Sequence, residues 1–130
     1  MESEGFRGLL AYKKAFALAK EIFEVSKTFR GEERYGLTDQ VRRSSRSVCA
    51  CVGEAYRKRD YEKYFVSKLS DADSENTETR VHLEIAHSCT YLSTDAWRRL
   101  DGLADEVGRL LNYMMQHPEK FLRNSSRGKK

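Results

Sequence analysis

Proline is almost absent from this chain, which has one, Pro118, among 130 residues. Globular proteins usually contain about 5% proline, and proline helps to punctuate the turns of many-stranded folds. Long helices are therefore the natural expectation. The sequence also lacks a run of about 18 consecutive apolar residues, which excludes a membrane-spanning helix and a membrane as partner.

Cysteine is scarce as well, with three residues, Cys49, Cys51 and Cys89. On a helix the side chains of Cys49 and Cys51 would point about 200° apart, so these two cannot form a disulfide without unwinding it. Reduced thiols, buried or half-buried, are favoured over a redox or metal role. The N-terminal segment MESEGFRGLL has no apolar stretch after a basic start, so we expect no secretory signal and a cytoplasmic protein.

Charged residues, by contrast, are abundant, at 34% of the chain against 39% apolar residues, with a net charge of +4. This balance is typical of a soluble globular protein, and the length corresponds to a single domain. The apolar residues recur at regular intervals, which argues against disorder.

Four segments space their apolar residues by three and four, as amphipathic helices do. We predict helices over residues 8–29, 38–58, 61–92 and 95–116. The expected fold is all-α, an antiparallel up-and-down four-helix bundle in one domain, residues 1–118, followed by a basic, disordered tail, residues 119–130. Thr38 and Asp60 are candidate N-caps of the second and third helices, and Ser93, Thr94 and Asp95 of the fourth.

The first and third predicted helices depart from a simple bundle pattern. The first carries two adjacent apolar seams, one through Tyr12, Phe16 and Phe23, and therefore an apolar arc wider than a bundle interior requires. This predicts a second interface, within the chain or between chains. In the third helix Asn76 and Thr79 occupy seam positions, where buried polar residues cost stability and can fix register.

Charge is unevenly distributed between the second and third helices. Residues 38–59 contain six basic and two acidic residues, whereas residues 60–92 contain seven acidic and three basic ones. In a structural interpretation, Arg42, Arg43 or Arg46 pairs with Glu75 or Glu78 on the antiparallel neighbour, and Glu54 is a further partner. In a functional interpretation the arginines bind phosphates, which suit the guanidinium geometry. The structural interpretation is slightly favoured.

A second basic cluster, Arg57, Lys58 and Arg59, lies at the predicted end of the second helix. A favourable interaction with the helix dipole and a role in phosphate contact explain it equally well. Tyrosines interleave with this cluster at positions 56, 61 and 64, as in proteins that stack nucleic-acid bases. Their helical spacing nevertheless favours a core or subunit contact.

Catalytic motifs are absent from the sequence. His82 and His87 are five residues apart, about 140° around a helix, and are not placed to share a metal as an i, i+4 pair is. Glu75 and Glu78 lie one turn apart, but no histidine follows either by three residues, as di-metal bundles require. We therefore predict no metal, no cofactor and no enzymatic activity.

Several motifs resemble one family. Phe6-Arg7-Gly8-Leu9, then YGLTDQVRR at residues 35–43 and SVCACVGEA at residues 47–55, resemble the four-helix-bundle proteins encoded in 23S rRNA intervening sequences. The chain departs from that pattern at Cys51, where the family has asparagine, at Ala55, where it has glycine, and at Ser74-Glu75, where it has Gly-Ser.

The resemblance implies a cytoplasmic bacterial protein that assembles into a ring-shaped homopentamer with a central opening. It implies no established activity. The chain is also distantly similar to the accessory variability proteins of diversity-generating retroelements, which are pentameric and bind nucleic acid and a reverse transcriptase.

Together these observations favour a non-enzymatic homo-oligomer that binds structured nucleic acid through its basic residues, with RNA preferred and DNA as the other candidate. The candidate binding residues are Arg42, Arg43, Arg46, Arg57, Lys58 and Arg59, and the candidate structural partners are Glu54, Glu75 and Glu78. The alternative is an adaptor whose oligomer recruits another protein and does not contact nucleic acid.

Overall fold

The computed structural model describes residues 2–123, and this part of the chain consists of helices joined by turns, without a strand. The four long helices are α1 (Leu10–Ser26), α2 (Leu37–Arg57), α3 (Glu62–Ser88) and α4 (Thr94–Gln116). Three short 3-10 helices, Glu2–Gly8, Gly31–Glu33 and Pro118–Lys120, accompany them. Each long helix packs on the next one along the chain, and α1 packs on α4. The predicted all-α four-helix architecture is confirmed.

The end of α3 differs most from the prediction, since the helix stops at Ser88 rather than near residue 92. The backbone N–H of Tyr91 donates to the carbonyl of Ala86 at 2.9 Å, and that of Thr90 to His87 at 3.0 Å. These two bonds form a Schellman motif, which requires a left-handed residue that is usually glycine. Thr90 takes this role with a φ of 66°, so no glycine marks the end of the helix in the sequence.

Two of the predicted N-caps are wrong. Helix α2 begins at Leu37, so Thr38 is a buried residue inside the helix, and the Leu37 N–H donates to Glu33 Oε1 at 3.2 Å. The N-cap position of α3 is Tyr61, without a side-chain cap, and Asp60 instead pairs with Arg123 at 3.6 Å. The cap of α4 is correct, because Ser93 Oγ accepts from the Ala96 N–H at 3.1 Å.

The first residues of the predicted tail are packed against the bundle. The ring of Phe121 stacks on Phe65 with centroids 6.4 Å apart, and the backbone N–H of Arg123 donates to the Arg59 carbonyl at 3.2 Å. Residues 119–123 therefore belong to the folded domain, because an aromatic side chain buries surface there. The remainder of the predicted tail, residues 124–130, lies outside the described residues.

The buried side chains form two apolar clusters, one at each end of the bundle. The cluster at the end where α2 meets α3 includes Val52, Phe65 and Leu111. The cluster at the opposite end includes Ile22, Leu83 and Leu100. Between them lies a polar layer, which consists of Ser44, Asn76 and Thr79, all at most 2% exposed. The hydroxyls of Ser44 and Thr79 are 2.8 Å apart, and Asn76 Nδ2 donates to the Ala104 carbonyl at 2.9 Å. Polar side chains thus join α2 to α3 and α3 to α4 at mid-height.

Candidate nucleic-acid interface

Arg42 and Arg46 of α2 both reach over Phe23 of α1. The guanidinium carbons lie 4.7 and 5.8 Å from the ring centroid, respectively. Arg42 Nε also donates to Ser26 Oγ at 2.7 Å. Arg42 therefore holds α1 against α2 through cation–π and hydrogen-bond contacts, whereas Arg46 remains exposed.

Arg43 faces the other neighbour, α3, where it meets both predicted carboxylates. Its guanidinium hydrogen-bonds Glu78 and lies 3.5 Å from Glu75 Oε1. His82 Nε2 is 3.3 Å from the same Glu78 carboxylate. The hydrogen bond to Glu78 raises the pKa of Arg43. Desolvation raises the pKa of the Glu78 carboxyl, but the hydrogen bonds from His82 and Arg43 lower it by more in total. The pKa of Glu78 is therefore lowered.

This cluster makes the free energy of unfolding of the bundle depend on pH. A carboxyl whose pKa is lower in the folded state stabilises the fold above its unfolded pKa, and the contribution disappears as the pH falls through the folded value. Because the Glu78 side chain is 40% exposed, we expect Glu78→Gln to reduce the free energy of unfolding by no more than about 1 kcal/mol near pH 7. Urea unfolding near pH 7 and again near pH 3 would measure this, and an equal loss at both values would contradict it.

Glu54 does not pair with the α2 arginines. Its Oε1 is 2.9 Å from Lys68 Nζ on α3, and Asp71 lies 3.5 Å from the same ammonium. The hydrogen bond with Glu54 raises the pKa of Lys68. Glu54 is therefore part of an α2–α3 ion pair, but with a lysine that was not among the predicted partners.

The second cluster divides into one packed residue and two exposed ones. Arg59 is 8% exposed, its guanidinium carbon lies 3.5 Å from the centroid of the Tyr56 ring, and its Nε donates to the Tyr56 carbonyl at 2.8 Å. Arg57 and Lys58 are exposed, and no carboxylate within the described part of the chain lies within 4.0 Å of either. Arg59 therefore packs against Tyr56 within the chain, whereas Arg57 and Lys58 are available to a ligand.

Three further basic residues gather at the same end of the bundle, where α2, α3 and the C-terminal 3-10 helix meet. We call this region the basic corner, and it consists of Arg57, Lys58, Arg59, Lys63, Lys120 and Arg123. Sequence reasoning assigned Lys120 and Arg123 to a separate tail and missed their proximity to Arg59. The contact between Phe121 and Phe65 brings them here, and the aromatic Phe121 within a polar segment was the available signal.

Two tyrosines of the basic corner are largely exposed to solvent. Tyr61 and Tyr64 are each 61% exposed, and their ring centroids are 6.0 Å apart with an interplanar angle of 80°. Lys58 Nζ lies 5.8 Å from the Tyr64 centroid. The helical spacing predicts a core or subunit contact for these rings. The core contact is wrong for both tyrosines and holds for the next aromatic residue, Phe65, which is 0% exposed.

An aromatic groove runs along the outer face of α1 and α2. Its rings are Phe6, Tyr12, Phe16 and Phe23, with Phe6 and Tyr12 centroids 5.0 Å apart and Tyr12 and Phe16 centroids 5.9 Å apart. The part between Tyr12 and Phe23 encloses about 390 Å³. Phe16 is 52% exposed. The extra apolar arc of the first helix is therefore only partly covered by this chain.

The cysteines differ in environment, and no disulfide joins them. Cys49 borders the aromatic groove, and burial raises the pKa of its thiol to about 11. Cys51 is buried, and burial raises its pKa as well. Cys89 is exposed, so the expectation of a buried or half-buried thiol is wrong there, because α3 ends one residue before it.

A polar groove of about 500 Å³ lies between α3 and α4. Both of its arginines are paired with carboxylates of α4, since Arg80 Nε and Nη2 donate to Asp101 at 2.8 and 2.9 Å, and Arg109 lies 3.1 Å from Asp105. Over residues 2–123 no three His, Cys, Asp or Glu side chains come together to hold a metal ion. In the same range no helix is both long and apolar enough to cross a membrane.

These features define a four-helix bundle protein with a basic, tyrosine-bearing corner at one end and an exposed aromatic groove along one side. Residues 7–113 match the sequence model of the 23S rRNA-intervening sequence protein family, and the chain belongs to that family. The family resemblance of the motifs is thereby confirmed.

A solved structure from Bacteroides thetaiotaomicron shares the fold. It is a protein of unknown function from the S23 ribosomal protein family, 23% identical, with a TM-score of 0.75 over 82% of this chain and 96% of that one. No curated protein matches the chain.

Proposed function

We propose that this protein is a cytoplasmic, non-enzymatic RNA-binding protein whose basic corner contacts the phosphate backbone. The observation that carries the proposal is the exposure of Arg57 and Lys58 without a carboxylate partner among the described residues, next to two exposed tyrosines. By contrast, Arg42 and Arg43 are engaged with neighbouring helices. The interface therefore centres on the corner rather than on the middle of α2.

Self-association is the second part of the proposal. The aromatic groove places the half-exposed Phe16 beside three partly buried rings on one face, and contiguous apolar surface that is accessible to solvent marks an interaction site. We expect copies of the chain to meet there and to form the ring-shaped homopentamer that the family resemblance implies. Each copy would then present one basic corner, and several weak contacts would add through avidity.

Binding to RNA and its salt dependence test the role of the corner. The double variant Arg57→Gln/Lys58→Gln is expected to bind RNA about tenfold more weakly or worse, and to lose about two units from the slope of log affinity against log salt between about 50 and 200 mM. Filter binding measures both quantities.

A matched control removes the same charge elsewhere. Arg34 and Arg98 are also exposed and lie towards the opposite end of the bundle, so Arg34→Gln/Arg98→Gln should bind nearly as the wild type does. If the control loses as much affinity as the corner variant, the contact is diffuse and the corner is not the site. If the wild type binds neither RNA nor DNA at low salt, the proposal is wrong.

The adaptor function is favoured by one observation, the aromatic groove with its half-exposed Phe16. Absorbance at 260 and 280 nm, recorded before and after a high-salt wash of the purified protein, distinguishes the two functions. Co-purifying nucleic acid that the wash removes supports RNA binding, because salt weakens phosphate contacts. An absorbance ratio typical of protein without nucleic acid, both before and after the wash, together with undetectable RNA binding, supports the adaptor function.

A further inference from the structure

The two corner tyrosines expose far more ring surface than the fold requires. Tyr61 immediately precedes α3, and Tyr64 lies in the first turn of that helix, yet each is 61% exposed. Neither hydroxyl hydrogen-bonds another group among residues 2–123. Since the rings contribute little to packing within the chain, their exposure calls for a ligand that covers aromatic faces.

The geometry of the pair favours separate partners for the two rings. The interplanar angle of 80° and the centroid distance of 6.0 Å mean that the ring faces point in nearly perpendicular directions. Two flat groups that cover both rings must therefore be splayed apart. Bases of a single strand can adopt such an arrangement, whereas bases inside a duplex are already stacked on both sides and parallel to each other.

The charge next to the rings fits the same ligand. Lys58 Nζ is 5.8 Å from the centroid of Tyr64, and Arg57 precedes Lys58 at the end of α2. A cation beside a stacking ring allows a base and its phosphate to be contacted together, which is how proteins bind single strands with little sequence preference.

Tyr35 is a second exposed tyrosine next to a cation, but its surroundings differ. Tyr35 is 83% exposed and lies 5.4 Å from the Arg34 guanidinium carbon. Its surroundings in the loop between α1 and α2 include the acidic Glu32 and Glu33, whereas at the basic corner the acidic Asp60, Glu62 and Glu119 are outnumbered by basic residues. The basic corner combines paired rings with six basic residues.

We propose that the basic corner binds single-stranded nucleic acid, with one unpaired base stacked on Tyr61 and a second on Tyr64. This inference rests on the proposed RNA-binding function and specifies the form of its ligand. It predicts that affinity depends on the rings as well as on the cations, and that it falls when the strand is paired.

The test compares a labelled oligouridine of about 20 nucleotides with an RNA duplex of the same length. Wild-type protein is expected to bind the single strand more tightly. Tyr61→Ala/Tyr64→Ala is expected to bind the single strand at least about 30-fold more weakly, because both stacked bases are lost, and to bind the duplex almost unchanged. Tyr61→Phe/Tyr64→Phe retains the rings and should bind as the wild type does, and so should the control Tyr35→Ala.

The outcomes separate this inference from the proposed function. Equal binding of both probes, insensitive to the tyrosines but weakened by Arg57→Gln/Lys58→Gln, would overturn the stacking inference and leave RNA binding in place. Binding of neither probe by the wild type would overturn both. If Tyr61→Ala/Tyr64→Ala instead changes the oligomeric mass in light scattering, the rings form a subunit contact and the inference is wrong.

Discussion

Replacement of Phe65 by alanine is expected to lower the free energy of unfolding by about 3–5 kcal/mol, as for other fully buried phenylalanines. The side chain is 0% exposed, and it packs on Phe121 from the C-terminal segment and lies beside Leu9 and Met114 from the two ends of the chain. The cavity left by the truncation would therefore loosen three contacts at once. Urea denaturation followed by circular dichroism measures the effect.

The adjacent Tyr64 supplies a matched control for this experiment. It belongs to the same turn of α3 but is 61% exposed, so Tyr64→Ala should change the free energy of unfolding by no more than about 0.5 kcal/mol. Alanine forms helix better than either aromatic residue, so a similar loss for both variants would show that burial of Phe65 does not determine the result.

Placement of a charge in the aromatic groove is expected to dissociate the proposed oligomer. Phe16 is 52% exposed in the single chain, so Phe16→Glu costs the isolated bundle little, whereas in a subunit interface the carboxylate would be buried without a partner. Light scattering during gel filtration should then give 15.1 kDa for the variant and a multiple of that mass for the wild type.

The variant Tyr35→Glu controls for added charge on an exposed aromatic position, because Tyr35 lies in a loop away from the aromatic groove. It should retain the wild-type mass. A wild-type protein that already elutes at 15.1 kDa at micromolar concentration would show that the groove does not join copies of this chain. The groove would then remain as a surface for a different protein, as the adaptor function requires.

The helices were predictable because the 3 and 4 spacing of apolar residues is a local property of the sequence, and burial of Leu69, Ala72 and Leu83 on α3 follows it closely. Helix ends were harder to predict. Asp60 has the composition of an N-cap, but it pairs with Arg123, which is far away along the chain. Thr90 adopts a left-handed conformation that sequence patterns assign to glycine.

Prediction of the site was limited by the direction in which each side chain points. Arg42 and Arg43 are neighbours, yet a rotation of about 100° per residue directs one to α1 and the other to α3. Sequence alone could propose carboxylate partners for the group but could not assign them to individual arginines. The basic corner likewise required knowledge that the C-terminal segment folds back onto α3.

The polar layer of Ser44, Asn76 and Thr79 has a consequence for how the bundle opens. It lies between two apolar clusters, and we expect it to couple them less strongly than continuous apolar packing would, so that each can open separately. Native-state hydrogen exchange should therefore resolve two opening units, one containing the loops at the Tyr35 end and one containing the basic corner. If the basic corner binds RNA as proposed, amide exchange should slow in the half that carries the corner, while the amides of the distant half continue to exchange at their own rate.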